Sequence, residues 1–219
     1  AVQDLALLEE QSRGAVVLGQ RGQDVPGFEQ RAEVLGAGNP RSARESGHVN
    51  RDIPPDPGSA AAWLMAADRA EVRADLEAVY SLAADQITQR GPACWASGRC
   101  CNFVRTGHRL YVTGLEAAYV VRALGGRPDE TALDAAEQRG DCPYLASNLC
   151  GIHAIKPLGC RVYFCDRSAE EWQQILSERC LSLIRVLHEK YGVEYRYGEW
   201  RAMLRLFPST VRAAGAGGG

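Results

Sequence analysis

The sequence predicts a small, mainly helical domain of the α+β class with one short β-hairpin. Apolar side chains recur at helical spacing in two long segments, two capping-box sequences mark helix starts, and only one short stretch alternates like paired strands. The composition agrees, because 219 residues with 46% hydrophobic and 24% charged side chains are typical of one globular domain.

The chain is predicted to consist of an extended N-terminal arm over residues 1–58, a folded domain over 59–212 and a flexible Gly-rich tail over 213–219. The first segment has eight glycines, five prolines and no Trp, Tyr or Cys. Such a segment has too few large apolar side chains to form a core of its own.

The first predicted helix runs from Ser59 to Arg90 and stops at Gly91-Pro92. Its apolar residues recur at spacings of three, four or seven, as one buried helix face requires. They are Met65, Val72, Leu76, Val79, Ala83 and Ile87.

A short hairpin is predicted over Asn102–Thr113, with its turn at Thr106-Gly107. Thr113 and Glu116 have the spacing of a capping box and start a helix that Gly125-Gly126 ends. A further helix is predicted over Asp129–Arg139.

The segment Cys142–Cys165 contains two prolines and two internal glycines besides its cysteines, so an irregular loop is expected there. Ser168 and Glu171 form a second capping box, which starts an amphipathic helix closed by Gly192. A last helix is predicted over Glu199–Phe207.

The charge balance excludes several classes of partner. The net charge is −2 and the pI about 6.1, so the chain has no basic excess with which to bind nucleic acid or an anionic membrane surface. No apolar run reaches the roughly 18 residues of a membrane span. Without a recognisable secretion signal at the start of the sequence, a cytoplasmic location is expected, although export stays open.

The cysteines are the most informative residues. The first 93 residues contain none, and all eight lie between positions 94 and 180: Cys94, Cys100, Cys101, Cys142, Cys150, Cys160, Cys165 and Cys180. Thiolates are the ligands that zinc and iron prefer, and a metal would order the Pro- and Gly-rich loop. The domain is therefore expected to be organised around a cysteine metal centre holding zinc or iron.

Other interpretations stay open for individual residues. An even number of cysteines also permits a disulfide framework, and Cys180 lies on an apolar helix face where packing is as plausible as ligation. His153, three residues after Cys150, is an additional candidate ligand, and Arg161 is expected to offset thiolate charge. His108 and His188 are expected at the surface or beside the centre.

The cysteine motifs resemble those of the YkgJ-type cysteine-cluster family, described as a zinc- or iron-chelating domain. The resemblance covers about residues 92–166 and rests on these motifs in order: Cys94 through Cys100-Cys101, Cys142-Pro143-Tyr144-Leu145, Cys150-Gly151-Ile152-His153, and Lys156-Pro157-Leu158-Gly159-Cys160-Arg161. It implies metal binding through the cysteines, with no assigned reaction for most of the family.

The chain departs from the family pattern at three positions. Ser97 stands where a cysteine is usual, His153 where tyrosine is common and Lys156 where arginine is common. Cys165 is an extra thiol that could replace the one missing at position 97.

Three classes of function follow from these motifs. The first is a metal-binding protein with an unassigned cellular role. The second is an iron or iron-sulfur enzyme distantly similar to flagellin lysine N-methylases, with Lys156, Arg161 and Tyr163 near a substrate. The third is an extracellular interaction module held by disulfides.

Overall fold

The structure is a computed structural model that describes residues 58–94 and 98–211. The predicted arm, except for its last residue, the predicted tail and Ser97 lie outside the described residues.

The described residues form a mainly helical fold, as predicted. Its helices are α1 (Ser59–Asp68), α2 (Ala70–Arg90), α3 (Phe103–Thr106), α4 (Gly114–Leu124), α5 (Glu130–Arg139), α6 (Leu158–Val162), α7 (Glu170–Lys190) and α8 (Trp200–Arg205). Its strands are β1 (Tyr111–Thr113), β2 (Leu145–Ala146), β3 (Leu149–Cys150) and β4 (Tyr197–Glu199). No helix in this part of the chain is both long and apolar enough to cross a membrane.

The residues predicted to form one helix over Ser59–Arg90 form two helices, because the backbone of Arg69 between them is extended. The break lets α1 pack on α4 while α2 packs on α7, so the two helices bury different faces. Met65 is consequently 69% exposed, which corrects its assignment to the buried face. The predicted face of α2 is confirmed by buried Val72, Leu76, Val79 and Ala83.

The hairpin predicted over Asn102–Thr113 is wrong. The Asn102 side chain accepts a hydrogen bond from the Arg105 N–H and starts α3 instead of a strand. Strand β1 pairs antiparallel with the distant β4, with Tyr111 opposite Glu199 and Thr113 opposite Tyr197.

The short hairpin of the fold is β2–β3, inside the segment that was expected to be irregular. Leu145 pairs with Cys150, and the turn residues Ser147 and Asn148 both have positive φ, as a tight two-residue hairpin turn requires. Five further residues of that segment form α6.

Most of the helix ends lie where the capping residues and glycines of the sequence predicted them. The capping box of Thr113 and Glu116 is present, and left-handed Gly125 ends α4. The second predicted capping box is not formed: Asp166 caps a 3₁₀ turn over Arg167–Ala169, and α7 follows this turn without a side-chain cap.

Two hydrophobic clusters make up the core. The first lies around Trp63 and Trp200, between α1, α4 and α8, and the second lies between α2 and α7. Trp63 packs so closely on α4 that a Cβ at Gly114 would lie 2.2 Å from its ring. Both clusters adjoin the short elements that carry the cysteines.

Candidate functional site

Four cysteines from three separate segments of the chain line the same cavity. Cys100 and Cys101 belong to a 3₁₀ turn, Cys142 follows α5, and Cys150 ends β3. The Cys142 N–H donates to the Cys101 carbonyl at 2.8 Å, beside the antiparallel bridge of Asn102 and Asp141. All four line one cavity, and interaction with the other three thiols raises the pKa of Cys101. These four residues are called the thiol cluster below.

Gly98 brings the first two cysteines against the hairpin. Its backbone is left-handed, with φ of 66°, and a Cβ there would lie 2.4 Å from the carbonyl oxygen of Asn148. Only glycine permits both this conformation and this contact. The approach sets the turn carrying Cys100 beside the strand that ends in Cys150.

The pKa values of the cluster thiols differ because the thiols form hydrogen bonds with one another. Hydrogen bonding with Cys101 lowers the pKa of Cys100 and of Cys150 to about 6, and nearby Lys156 acts in the same direction. It also lowers the pKa of Cys142. The pKa of Cys101 is raised, because its proton is held among its three neighbours.

Trp200 and Tyr144 present polar atoms near Cys142. The Trp200 indole N–H stabilises the thiolate form of Cys142, and apart from that sulfur it has no acceptor among the described residues. The buried hydroxyl of Tyr144 also has no partner in this part of the chain, and its pKa is raised by burial and by the charge of Cys142. The Trp200 N–H is therefore available to a sulfur ligand.

Cys160 lies close to the thiol cluster on α6. Its pKa is raised first by burial and then by the negative charge of Cys142 and Cys150. The position of α6 depends on Glu116, a buried carboxylate that accepts the Leu158 N–H at 2.7 Å at the start of that helix. Glu116 was predicted only as a cap, since a contact with a helix 42 residues away leaves no local signal in the sequence.

Glu116 joins three elements. Besides Leu158, it accepts from the Thr113 N–H at 3.0 Å, the Thr113 hydroxyl at 2.9 Å and the Tyr80 hydroxyl at 3.4 Å. Burial raises its pKa, although all four hydrogen bonds stabilise the ionised form. These hydrogen bonds fix the positions of α2, α4 and α6 relative to one another.

The remaining cysteines are placed differently. Cys94 is exposed at the rim of the cavity described below, and Cys165 is exposed and does not line it. Cys180 is fully buried in the second hydrophobic cluster, where burial raises its pKa to about 11. The structure therefore does not bring Cys165 or Cys180 to the thiol cluster. None of the eight cysteines forms a disulfide.

The basic residues predicted beside the centre have distinct roles. Lys156 lowers the pKa of His153, and its Nζ lies 3.4 Å from His153 Nε2. The Arg161 guanidinium donates to the Lys156 carbonyl at 2.7 Å and to the Ala154 carbonyl at 3.1 Å, and it lies 4.1 Å from the centroid of the Tyr80 ring. Arg161 thus shapes the backbone loop before α6.

A cavity of about 470 Å³ opens onto the cysteines. Six of them line it: Cys94, Cys100, Cys101, Cys142, Cys150 and Cys160. His108, expected at the surface or beside the centre, forms part of its wall, whereas His188 is fully buried elsewhere, against the surface expectation.

The donor chemistry of the cluster suits a soft metal ion, since four thiols meet beside an otherwise unpaired N–H donor. As the side chains are placed, however, no group of three or more His, Cys, Asp or Glu within residues 58–94 and 98–211 could hold a metal ion. Binding would require one or more thiols to change rotamer, which a cysteine does by one rotation about χ1.

The chain was compared with protein-family models, with curated proteins and with solved structures, and none of them matches it.

Proposed function

We propose that this is a metal-binding protein, and that the thiol cluster of Cys100, Cys101, Cys142 and Cys150 binds zinc or iron. The observation that carries the proposal is that four free thiols from segments far apart in the sequence line one cavity. A tetrahedral site takes four protein ligands, and thiolates supply them for zinc and for iron alike. The resemblance to the YkgJ-type family supports the same interpretation.

The charge of the cluster supports cation binding. Hydrogen bonding favours the thiolate forms of Cys100, Cys142 and Cys150, and the positive charge of Lys156 also lowers the pKa of Cys100 and of Cys150. Thiolates that line one cavity repel each other, and a bound divalent ion would reduce that repulsion.

The surroundings of the cluster would also suit a bound metal. The Trp200 N–H, which has no oxygen or nitrogen acceptor in the described residues, can donate to the sulfur of a Cys142 thiolate. Cys160, close to these sulfurs, is a further donor. The free state of all eight thiols fits a reducing compartment, and we include a cytoplasmic location in the proposal.

The first test is the metal content of untagged protein purified without oxygen, measured by mass spectrometry together with its visible spectrum and thiol count. We expect about one zinc or iron per chain, as one four-thiolate site requires. Zinc gives a colourless protein, and iron gives sulfur-to-iron absorption. Protein without either metal and with eight titratable thiols would contradict the proposal.

Single substitutions then test the ligand set. Cys100→Ser and Cys150→Ser should each lose most of the bound metal, because serine replaces a thiolate ligand by a poor one. Cys165→Ser is the matched control, since Cys165 is exposed and does not line the cavity. Equal metal loss in all three variants would show that the cluster is not the binding site.

An iron or iron-sulfur enzyme is the second candidate, and the cavity is the observation that favours it. A purely structural metal needs no space beside it, whereas here about 470 Å³ opens onto the thiols. The same spectrum separates the candidates, because a colourless zinc protein excludes the iron enzyme.

A further inference from the structure

Apart from the thiols, the charged side chains of the cavity walls are all basic. Three basic side chains, Arg109, Lys156 and Arg161, line the cavity, and no Asp or Glu of the described residues does so. Lys156 has no carboxylate within ion-pair distance in the described part of the chain, whereas the only other lysine, Lys190, is paired with Asp75 at 2.7 Å. The basic side chains, as distinct from the thiols, therefore favour a ligand that brings its own negative charge.

One part of the cavity wall is a group of aromatic rings that contact one another. The rings of His108 and Tyr163 stack with centroids 4.4 Å apart and planes 19° apart, and Phe103 contacts His108 edge-on at 5.6 Å. The His108 ring is fixed by a hydrogen bond of 2.6 Å between its Nδ1 and the Thr106 hydroxyl. An aromatic wall that is already ordered favours a planar apolar ligand, because little side-chain entropy is lost on binding.

The size of the cavity also suits a small molecule. About 470 Å³ lies within the range of roughly 300–1,000 Å³ that is usual for ligand sites. Apolar atoms form most of the wall, and its charged nitrogen groups are those of Arg109, Lys156 and Arg161. This division matches a ligand with one apolar body and one charged end.

We propose that the cavity binds a small amphipathic anion, with a planar apolar ring system against His108 and Tyr163 and a carboxylate, sulfonate or phosphate at the Lys156 ammonium. The proposal goes beyond metal binding and does not depend on it, because the wall and the basic residues are present whether or not the thiols hold a metal.

Two fluorescent probes that differ by a single group test it. We would titrate the full chain with 8-anilinonaphthalene-1-sulfonate and with N-phenyl-1-naphthylamine, which is the same molecule without the sulfonate. We expect the anion to bind at least about tenfold more tightly, equivalent to about 1.4 kcal/mol. Equal affinity for the two probes would overturn the proposal.

Variants locate the anionic end and the ring system. Lys156→Met should weaken the anionic probe about tenfold and change the affinity for the neutral probe less than about twofold. Lys190→Met, the matched control on the other lysine, should change neither. Tyr163→Leu should weaken both probes. If Lys156→Met and Lys190→Met behave alike, the anion does not bind at Lys156 and the proposal fails.

The metal content of each sample separates this proposal from the previous one. A protein that holds no metal but still prefers the anionic probe through Lys156 would refute the metal centre and retain the ligand cavity. A protein that holds metal but binds both probes equally would refute the cavity and retain the metal centre.

Discussion

His188 is a titratable side chain in a fully buried position. Its side chain is fully buried, its Nδ1–H donates to the Glu194 carbonyl at 2.7 Å, and its Nε2 has no partner among the described residues. Burial, which disfavours the charged imidazolium, lowers its pKa from 6.5 to about 4. The same carbonyl accepts the Trp63 indole N–H at 2.8 Å, so this junction holds two core residues.

This burial predicts a loss of stability in acid. Since the folded pKa lies below the unfolded one, the contribution of His188 is complete above pH 6.5 and is lost as the pH falls through about 4. The loss is on the order of 3 kcal/mol for a shift of this size. We expect chemical denaturation of the wild type to show this pH dependence and His188→Asn to lack it.

The thiols also titrate near this range, so the difference between wild type and variant is the quantity to measure. Direct titration of the His188 imidazole by NMR serves as a second readout if the variant does not fold. A folded pKa near 6.5 would contradict the burial argument.

The sequence could not predict this burial, because a histidine beside a leucine on a helix is equally common at the surface.

Among the elements, the contact between the Gly98 loop and the β2–β3 hairpin decides whether the cysteines meet. Asn148, whose φ is 61°, turns its carbonyl against Gly98, and there is no space for a side chain between them. The loop and the hairpin are both short, so neither has a core of its own to fix it.

Gly98→Ala should therefore open the thiol cluster while leaving the rest of the fold intact. The matched control is Gly107→Ala, which has a similar φ of 72° but no atom within 4 Å of the added Cβ. Each variant carries the strain of a left-handed alanine, about 1 kcal/mol, and only Gly98→Ala adds the clash. We expect faster reaction of the cluster thiols with a disulfide reagent in Gly98→Ala alone.

Equal reactivity in the two variants would mean that the loop does not depend on this contact.

The helices α4, α5 and α7 were predictable because apolar periodicity and glycine stops are local signals. The β2–β3 hairpin was not, because its turn places Ser147 and Asn148 at positive φ without the usual glycine. Strand β1 was assigned to the wrong partner because its true partner, β4, comes much later in the sequence.

At the scale of the whole molecule, the two hydrophobic clusters are joined. Tyr119 and Val193 pack against both, and the Glu116 hydrogen bonds connect the helices of one with the helices of the other. Such shared contacts predict one cooperative unfolding transition.

Leu183→Ala and Leu204→Ala test this cooperativity, because each removes a buried leucine from a different cluster. Each should cost about 2–5 kcal/mol. Because Trp172 packs against the second cluster, the variants are made in a Trp172→Phe background, where Trp63 and Trp200 of the first cluster are the remaining tryptophans of the described residues. Tryptophan fluorescence and far-UV circular dichroism should then shift together in both variants. A fluorescence transition that stays in place in Leu183→Ala while the helices melt earlier would show two independent cores.

The sequence indicated most of the buried residues of α2, whereas Ile175, expected on the apolar face of α7, is 60% exposed. It did not indicate which helices would meet. The packing of Trp63 on Gly114 joins residues with no shared local pattern, and the absence of a side chain at Gly114 is meaningful only once Trp63 is seen above it. The meeting of Cys100 and Cys101 with Cys142 was expected from their chemistry, whereas the exclusion of Cys180 follows from its position in the second cluster.

The pairing of β1 with β4 has a consequence for the order of events during synthesis. Tyr197, which lines the cavity, and Trp200, beside Cys142, come after every cysteine in the chain. A ribosome therefore releases all eight thiols before the residues that enclose them are made. Until then the thiols are open to solvent, and the enclosed thiol pocket is one of the last parts of the protein to form.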